Sequence, residues 1–109
     1  MAVYVPDAGD IVWLDFSPQT GHEQAGHRPA VVLSPVAYNR IGLMLCCPLT
    51  TKQKGYPFEV AIDNYRQSAV LADQVQSLDW RARCAKKKGR VSEKELSEIR
   101  AKARALIGK

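Results

Sequence analysis

The chain has 109 residues, 46% hydrophobic and 25% charged, with a formal net charge of +5. That is enough for one domain with a core of its own, and the balance is that of a globular chain rather than a disordered one. No apolar run approaches the roughly 18 residues that span a bilayer, and the opening MAVYVPDAGD lacks the basic segment of a signal peptide. One domain over 1–109, cytoplasmic and off the membrane, is the expectation.

In chain order, DIVWLDF (10–16) alternates as a half-buried strand, with Val12, Leu14 and Phe16 on one face and Ile11, Trp13 and Asp15 on the other. SPQTGHEQAGHR is full of turn formers and reads as a long loop. PAVVLS is rich in β-branched residues and predicts a second strand. YNRIG turns the chain into LMLCCPLT, a third strand that ends at 48–50, because proline cannot donate to a ladder. TTKQKGYP is a basic loop, FEVAI a fourth strand, and DNYRQS a turn. AVLADQVQSLDW then predicts one strand, or two bent near Asp73 and Gln74. Ser92 and Glu95 form an S-x-x-E capping box. Leu96, Ile99, Ala103 and Leu106 follow on one helical face, with acids early, bases late and Gly108 as the stop. The pattern predicts a mainly β fold with α: a small, strongly bent antiparallel barrel with a C-terminal α-helix.

The charge is split unevenly. Residues 1–79 carry eight acids and five bases, whereas 80–109 carry three acids and eleven bases. The stretch RARCAKKKGR (81–90) has six bases and no acid. It suits a phosphate backbone, and it equally suits a solvated loop leading into the helix. The three cysteines are odd in number, and Cys46 and Cys47 are adjacent within an apolar run, as expected of core thiols. No CxxC, HxxxH or carboxylate cluster is present, so no metal and no cofactor are expected.

Chemistry concentrates in two loops. The first offers His22, Glu23, Gln24, His27 and Arg28; the second offers Thr50, Thr51, Lys52 and Lys54. If the second and third strands pair antiparallel, Arg28 and Thr50 fall at one end of the sheet, and a guanidinium fork and a hydroxyl converge on a point that fits a phosphate. An RNA phosphodiester can be cut there by its own 2′-hydroxyl, given a proton acceptor, charge stabilisation and a proton for the leaving oxygen. Glu23, His22, His27 and Asp73 are the candidate proton handlers. Each residue also has a plain structural role open to it. Arg28 can pair a carboxylate, Thr50 and Thr51 can end a strand, Asp73 can cap a turn, and Trp13 and Trp80 can pack.

The segments VPDAGDIVWLDF, GHEQAGHRPAVVLSP, PLTTKQKGYPFEV and VLADQVQSLDWRAR together resemble the MazF-type toxins, the endoribonuclease halves of bacterial toxin–antitoxin pairs related to PemK/Kid and ChpB. The likeness runs nearly end to end, nearest the enterobacterial MazF branch. It rests on the combination of G-x-E-Q-x-G-x-R-P with a threonine pair after a strand. The resemblance implies an SH3-like barrel in a homodimer, with grooves that bind single-stranded RNA. It also implies metal-independent cleavage at a short sequence, giving 2′,3′-cyclic phosphate and 5′-hydroxyl ends. It assigns Arg28, Thr50 and Glu23 to catalysis. His22, Gln24, His27, Thr51, Lys52, Lys54, Asp73, Gln74, Arg81, Arg83, Lys86 and Lys87 go to RNA binding, and Trp13 to an antitoxin with an acidic, disordered tail.

One departure matters. The Kid branch has an arginine two residues before its aspartate, and here Leu71 stands before Asp73. An acid–base pair at those positions does not carry over, which favours Arg28 with Thr50. A guanidinium holds its proton too tightly for a good general acid, so Arg28 is expected first to stabilise the phosphorane. The base stays open among Glu23, His22 and His27. A gyrase-poisoning toxin on the same fold and a non-catalytic RNA-binding module are the rival readings.

Overall fold

The computed structural model describes residues 3–16, 26–63 and 67–108. Among them are β1 (Asp10–Phe16), β2 (Gly26–Val32), a single turn of helix α1 (Val36–Asn39), β3 (Leu43–Thr50) and β4 (Glu59–Ile62). β5 (Ser68–Leu71), β6 (Gln76–Asp79), β7 (Lys86–Arg90) and the helix α2 (Glu93–Ile107) complete the chain. The strands make a curled antiparallel sheet in the order β4-β5-β3-β2-β1-β7. β6 joins the first half of β3, pairing Leu43 with Asp79, while β5 joins its last two residues, pairing Thr50 with Ala69. The fold is mainly β with a C-terminal helix, as expected.

Both faces of the sheet are covered. On one, Ile11, Val31, Cys47, Val60, Ile62 and Val70 pack with Leu96 and Ile99 of α2. On the other, Val12, Leu14, Ala30, Val32, Met44 and Cys46 pack with Trp80. β1 is therefore buried on both sides near its start, not half-buried as its alternation suggests, because Ile11 and Val12 serve different cores. Burial pushes the thiols of Cys46 and Cys47 up to about 12 each. Arg83 pulls against the shift at Cys46, whereas Cys46 and Asp73 add to it at Cys47. Both behave as apolar core atoms.

Two polar networks tie the chain ends and turns to this frame. Asp10 is buried and accepts from the Tyr4 hydroxyl at 2.6 Å, from the Asp7 N–H at 3.0 Å and from Arg90 at 2.9 Å. Asn39, fully buried, donates to the carbonyls of Pro6 (2.7 Å) and Ser34 (2.9 Å) and accepts from the Ser34 hydroxyl (2.6 Å). The carbonyl of Asn39 takes the Trp80 indole N–H at 2.7 Å. Gly9, at φ +94°, bonds β2 through Val32 and the end of β7 through Val91, and a Cβ there would come within 3.3 Å of the Arg90 guanidinium.

The capping box of α2 is formed: Ser92 Oγ accepts from Glu95 N–H at 3.0 Å, and Glu95 accepts from Ser92 N–H at 2.8 Å. The other Glu95 oxygen accepts from Asp63 N–H at 3.0 Å, pinning the helix start to the end of β4. Leu96, Ile99 and Ala103 are buried, but Leu106 is exposed, since the helix runs past the sheet by its last turn. The basic stretch 81–90 is not all loop. Residues 86–90 pair with β1 as β7. Lys-Lys-Lys-Gly-Arg has no apolar alternation to reveal a strand, and it forms one because β1 offers an unpaired edge.

Candidate functional site

β1, β2, β3 and β5 bring one row of residues to the same end of the sheet. Antiparallel pairing sets Leu14 opposite Arg28, Ala30 opposite Pro48 and Thr50 opposite Ala69. Carried two residues beyond Ala30–Pro48, the β2–β3 register sets Arg28 level with Thr50. Side chains alternate along a strand, and directly paired residues share a face. By that alternation Leu14, Arg28, Thr50 and Ala69 fall in one line on the Val12–Trp80 face, which puts the Arg28 and Thr50 side chains on one face at the same end of the sheet. Arg28 is exposed and Thr50 partly so. The Thr50 Oγ accepts from the Lys52 N–H at 3.1 Å, which leaves its own proton to donate.

Next to Thr50 an open cleft of ≈ 310 Å³ lies under residues 51–58. Lys52, Lys54, Tyr56 and Glu59 line it together with Leu71, Asp73 and Gln74. The Tyr56 hydroxyl donates to Asp73 Oδ2 at 2.8 Å, and that bond to a carboxylate raises the tyrosine above its ordinary range. Both Glu59 oxygens accept from Lys54 N–H, at 3.0 and 3.3 Å. Tyr56 and Glu59 were not among the residues expected from sequence. The signal for Tyr56 was an aromatic set among lysines in TTKQKGYP, a pattern suited to stacking beside phosphates.

His27 is exposed at the start of β2, its ring 6.2 Å from that of Trp13 and tilted by 56°. Both lie on the opposite face of the sheet from Arg28, because 13 and 27 alternate with 14 and 28. Arg83 is near the Arg28 end, where its carbonyl accepts from Asp15 N–H at 2.8 Å. Lys86 and Lys87 follow along the sheet edge on alternate faces, and Lys87 comes within 3.5 Å of Asp10. Arg81 is not brought to this end. Its guanidinium stacks on Trp80, 5.0 Å from the ring centroid, and donates to the Arg40 carbonyl at 2.9 Å. That is beside the start of β3, seven residue steps or about 23 Å along the strand from Thr50. Thr51 is exposed beside Thr50. His22, Glu23 and Gln24 lie outside the described residues. Among the described residues no group of three His, Cys, Asp or Glu could hold a metal ion, and no helix is long and apolar enough to cross a membrane.

A guanidinium and a hydroxyl in line, lysines around an adjoining cleft and a cationic sheet edge make a small β-barrel protein with a surface for a polyanionic strand. Residues 7–107 match the family model described as PemK-like, MazF-like toxin of type II toxin-antitoxin system. The chain belongs to that family. It is 59% identical over 107 residues to the endoribonuclease toxin MazF of Escherichia coli K12, covering 96% of each chain. It is 33% identical over 108 residues to the endoribonuclease toxin ChpB of the same organism, covering 93% of each. Among solved structures, a MazE–MazF complex from Deinococcus radiodurans aligns with a TM-score of 0.91 at 52% identity, over 97% of this chain and 98% of that one.

Proposed function

We propose that this chain is the toxin of a type II toxin–antitoxin pair and cuts single-stranded RNA at a short sequence, without a metal ion. The observation that carries the reading is the alignment of Arg28 with Thr50 beside a lysine-flanked cleft, in a chain 59% identical to a named endoribonuclease. The names of the relatives favour RNA cleavage over gyrase poisoning and over binding alone.

The scissile phosphate lies over the Arg28–Thr50 pair, with the guanidinium on two oxygens and the Thr50 hydroxyl on a third. The 2′-hydroxyl attacks phosphorus and its proton passes to a base on the first loop, where Glu23 and His22 are the candidates, whereas His27 is on the opposite face of the sheet from Arg28 and is set aside. Negative charge grows on the equatorial oxygens of the phosphorane, where Arg28 is fixed in advance by its place in the β2 ladder. The bond from phosphorus to the 5′ oxygen breaks and that oxygen is protonated, leaving a 2′,3′-cyclic phosphate and a 5′-hydroxyl. Gln24, Thr51, Lys52, Lys54, Asp73 and Gln74 hold the flanking nucleotides, and Arg83, Lys86 and Lys87 extend the cationic track along the edge of β7. Arg81, held on Trp80, contributes charge from a distance.

The antitoxin is a protein with an acidic, disordered tail that folds along the cationic surface and past Trp13, which is partly exposed. The MazE–MazF complexes of D. radiodurans support a partner of this kind. Two copies of the chain pair through an apolar surface on β3, where Leu43 and Leu45 alternate outward with 39% and 40% of their area exposed, close to Ile41. The toxin acts in the cytoplasm, where mRNA is.

The test is cleavage of a long single-stranded RNA in excess EDTA, with both fragment ends mapped. Discrete cuts with 5′-hydroxyl ends are expected. Arg28→Ala lowers the rate by about 10²–10³-fold, as loss of one preorganised charge-stabilising donor does. Undiminished cleavage by folded Arg28→Ala protein defeats the assignment.

A further inference from the structure

The cleft beside Thr50 suits an anion, yet Glu59 stands in it, among Lys52, Lys54 and Tyr56. Next to a phosphate backbone a fixed negative charge opposes binding, so charge gives no reason for a carboxylate at that place. Its hydrogen bonds give one. Both Glu59 oxygens accept from the Lys54 N–H, at 3.0 and 3.3 Å, and the Glu59 N–H donates to the Tyr56 carbonyl at 3.0 Å. Glu59 therefore grips the loop on both sides of Gly55.

The loop depends on such bonds for its shape. Residues 51–57 are exposed, and 52–56 belong to neither strand nor helix. Gly55 turns the chain at φ +70°, where a Cβ would meet no atom within 4 Å, so this glycine answers to backbone conformation and not to crowding. Other ties run to distant residues: Gln53 Nε2 donates to the Gln67 carbonyl at 2.6 Å, the Tyr56 hydroxyl to Asp73 at 2.8 Å and Lys102 Nζ to the Pro57 carbonyl at 2.7 Å. Glu59, by contrast, belongs to the frame. It begins β4, is paired with Leu71 of β5, and is followed by Val60 of the core. Its carboxylate carries the position of that ladder to the Lys54 amide.

We infer that Glu59 is a positioning residue for RNA cleavage, whose carboxylate holds the Lys54 amide so that Lys54 and Tyr56 stand at the cleft before RNA arrives. The inference rests on the RNA-cleaving function proposed above and deepens it. A loop ordered in advance spares the complex the entropy of ordering it on binding. Repulsion from one exposed, screened carboxylate is the smaller effect. The two effects have opposite signs, so they can be separated. Removing the acceptor loosens the loop and weakens binding. Removing the charge while keeping an acceptor leaves binding unchanged or tightens it.

The experiment compares Glu59→Ala, which lacks both acceptor and charge, with Glu59→Gln, which lacks the charge but keeps an amide oxygen. Exchange of the Lys54 amide with deuterium is measured first, by NMR without RNA. It is expected to be about tenfold faster or more in Glu59→Ala and close to the unaltered rate in Glu59→Gln. An unaltered rate in Glu59→Ala overturns the inference whatever the protein does to RNA. Binding is then measured to a short single-stranded RNA spanning a mapped cut, made 2′-deoxy at the attacking position so that it stays intact. Glu59→Ala is expected to bind about fivefold or more weakly. Its salt dependence, as log K against log salt, is shallower by about 0.7, the share of one phosphate contact. Glu59→Gln keeps the full slope and binds within about threefold of the unaltered chain, or tighter. Unchanged or tighter binding by Glu59→Ala makes Glu59 a repulsive charge and overturns the inference, as does a loss in Glu59→Gln equal to that in Glu59→Ala. RNA that the unaltered protein never cuts removes the ribonuclease itself, and the inference with it, even where the exchange rates come out as expected. Glu59→Ser replaces Glu59→Ala if the latter does not fold.

Discussion

Asp10→Ala removes the group on which the N-terminal segment and β7 both close. The Asp10 side chain is only 3% exposed, and its oxygens accept from the Tyr4 hydroxyl, the Asp7 N–H and the Arg90 guanidinium, with Lys87 3.5 Å away. Arg90 and Lys87 are 43% and 48% exposed, so solvent screens their attraction and together they contribute at most about 1 kcal/mol. The bonds from Tyr4 and Asp7 run to a charged acceptor inside the fold, and such bonds contribute about 1.5–3 kcal/mol each. The expected loss is about 3–7 kcal/mol. For a domain of this size each kcal/mol moves the melting temperature by about 4 °C or more, so a fall of at least about 12 °C is expected. Asp10→Asn, which keeps the shape and one acceptor, recovers part of it. Melting followed by circular dichroism at one protein concentration measures both. A drop of less than about 4 °C for Asp10→Ala refutes the reasoning, because it makes the clamp a consequence of the fold and not a support for it.

Glu95 and Asn39 give two further expectations. Burial works against the charge on Glu95, but hydrogen bonds from Ser92 and Asp63 outweigh it, so the carboxyl sits below its usual 4.5. A lowered folded-state value means stability that is fully present above 4.5 and lost as pH falls through the folded value. Glu95→Gln is therefore less stable than the unaltered chain at pH 7, by about 1–2 kcal/mol, and the gap in urea denaturation narrows as pH falls below 4.5; a gap independent of pH counts against it. Asn39→Ala leaves the Pro6 and Ser34 carbonyls without their buried donor and costs about 2–4 kcal/mol. Asn39→Asp turns an acceptor toward those carbonyls and costs more, and the reverse order in urea midpoints contradicts the network.

The fold was legible where a residue's side chain reports its own surroundings. The S-x-x-E box marked the start of α2, and Pro48–Thr50 marked the end of β3, because capping and proline geometry are local. The bend near Asp73 and Gln74 was visible too, and it divides β5 from β6. β7 was hidden because its pairing is supplied by β1 and not by its own composition. Leu106 belongs to the helical stripe but lies beyond the sheet that the stripe covers, a fact of relative length that no periodicity contains. In the site, residue types pointed to Arg28 and Thr50, and a guess at strand pairing was enough to join them. Tyr56, Glu59 and the covered oxygen of Asp73 needed the path of residues 51–58, which is held by bonds to distant residues, from Gln53 to the Gln67 carbonyl and from Tyr56 to Asp73.

The alignment of Arg28 with Thr50 depends on apolar residues further along the same strands. Arg28 and Thr50 stand on separate strands, so one residue of slip between β2 and β3 would send one side chain to the far face and separate the pair. A strand buried on one face alone resists slip because slip exposes its apolar set. β2 is held more tightly, because Ala30 and Val32 fit among Leu14, Met44 and Trp80 while Val31 fits among Ile11, Cys47 and Ile99. A slip would force each set into a cavity shaped for the other, where a change of even one methylene is felt. The two cores therefore set the relative placement of Arg28 and Thr50, and the loops at that end of the sheet can vary in sequence without disturbing it.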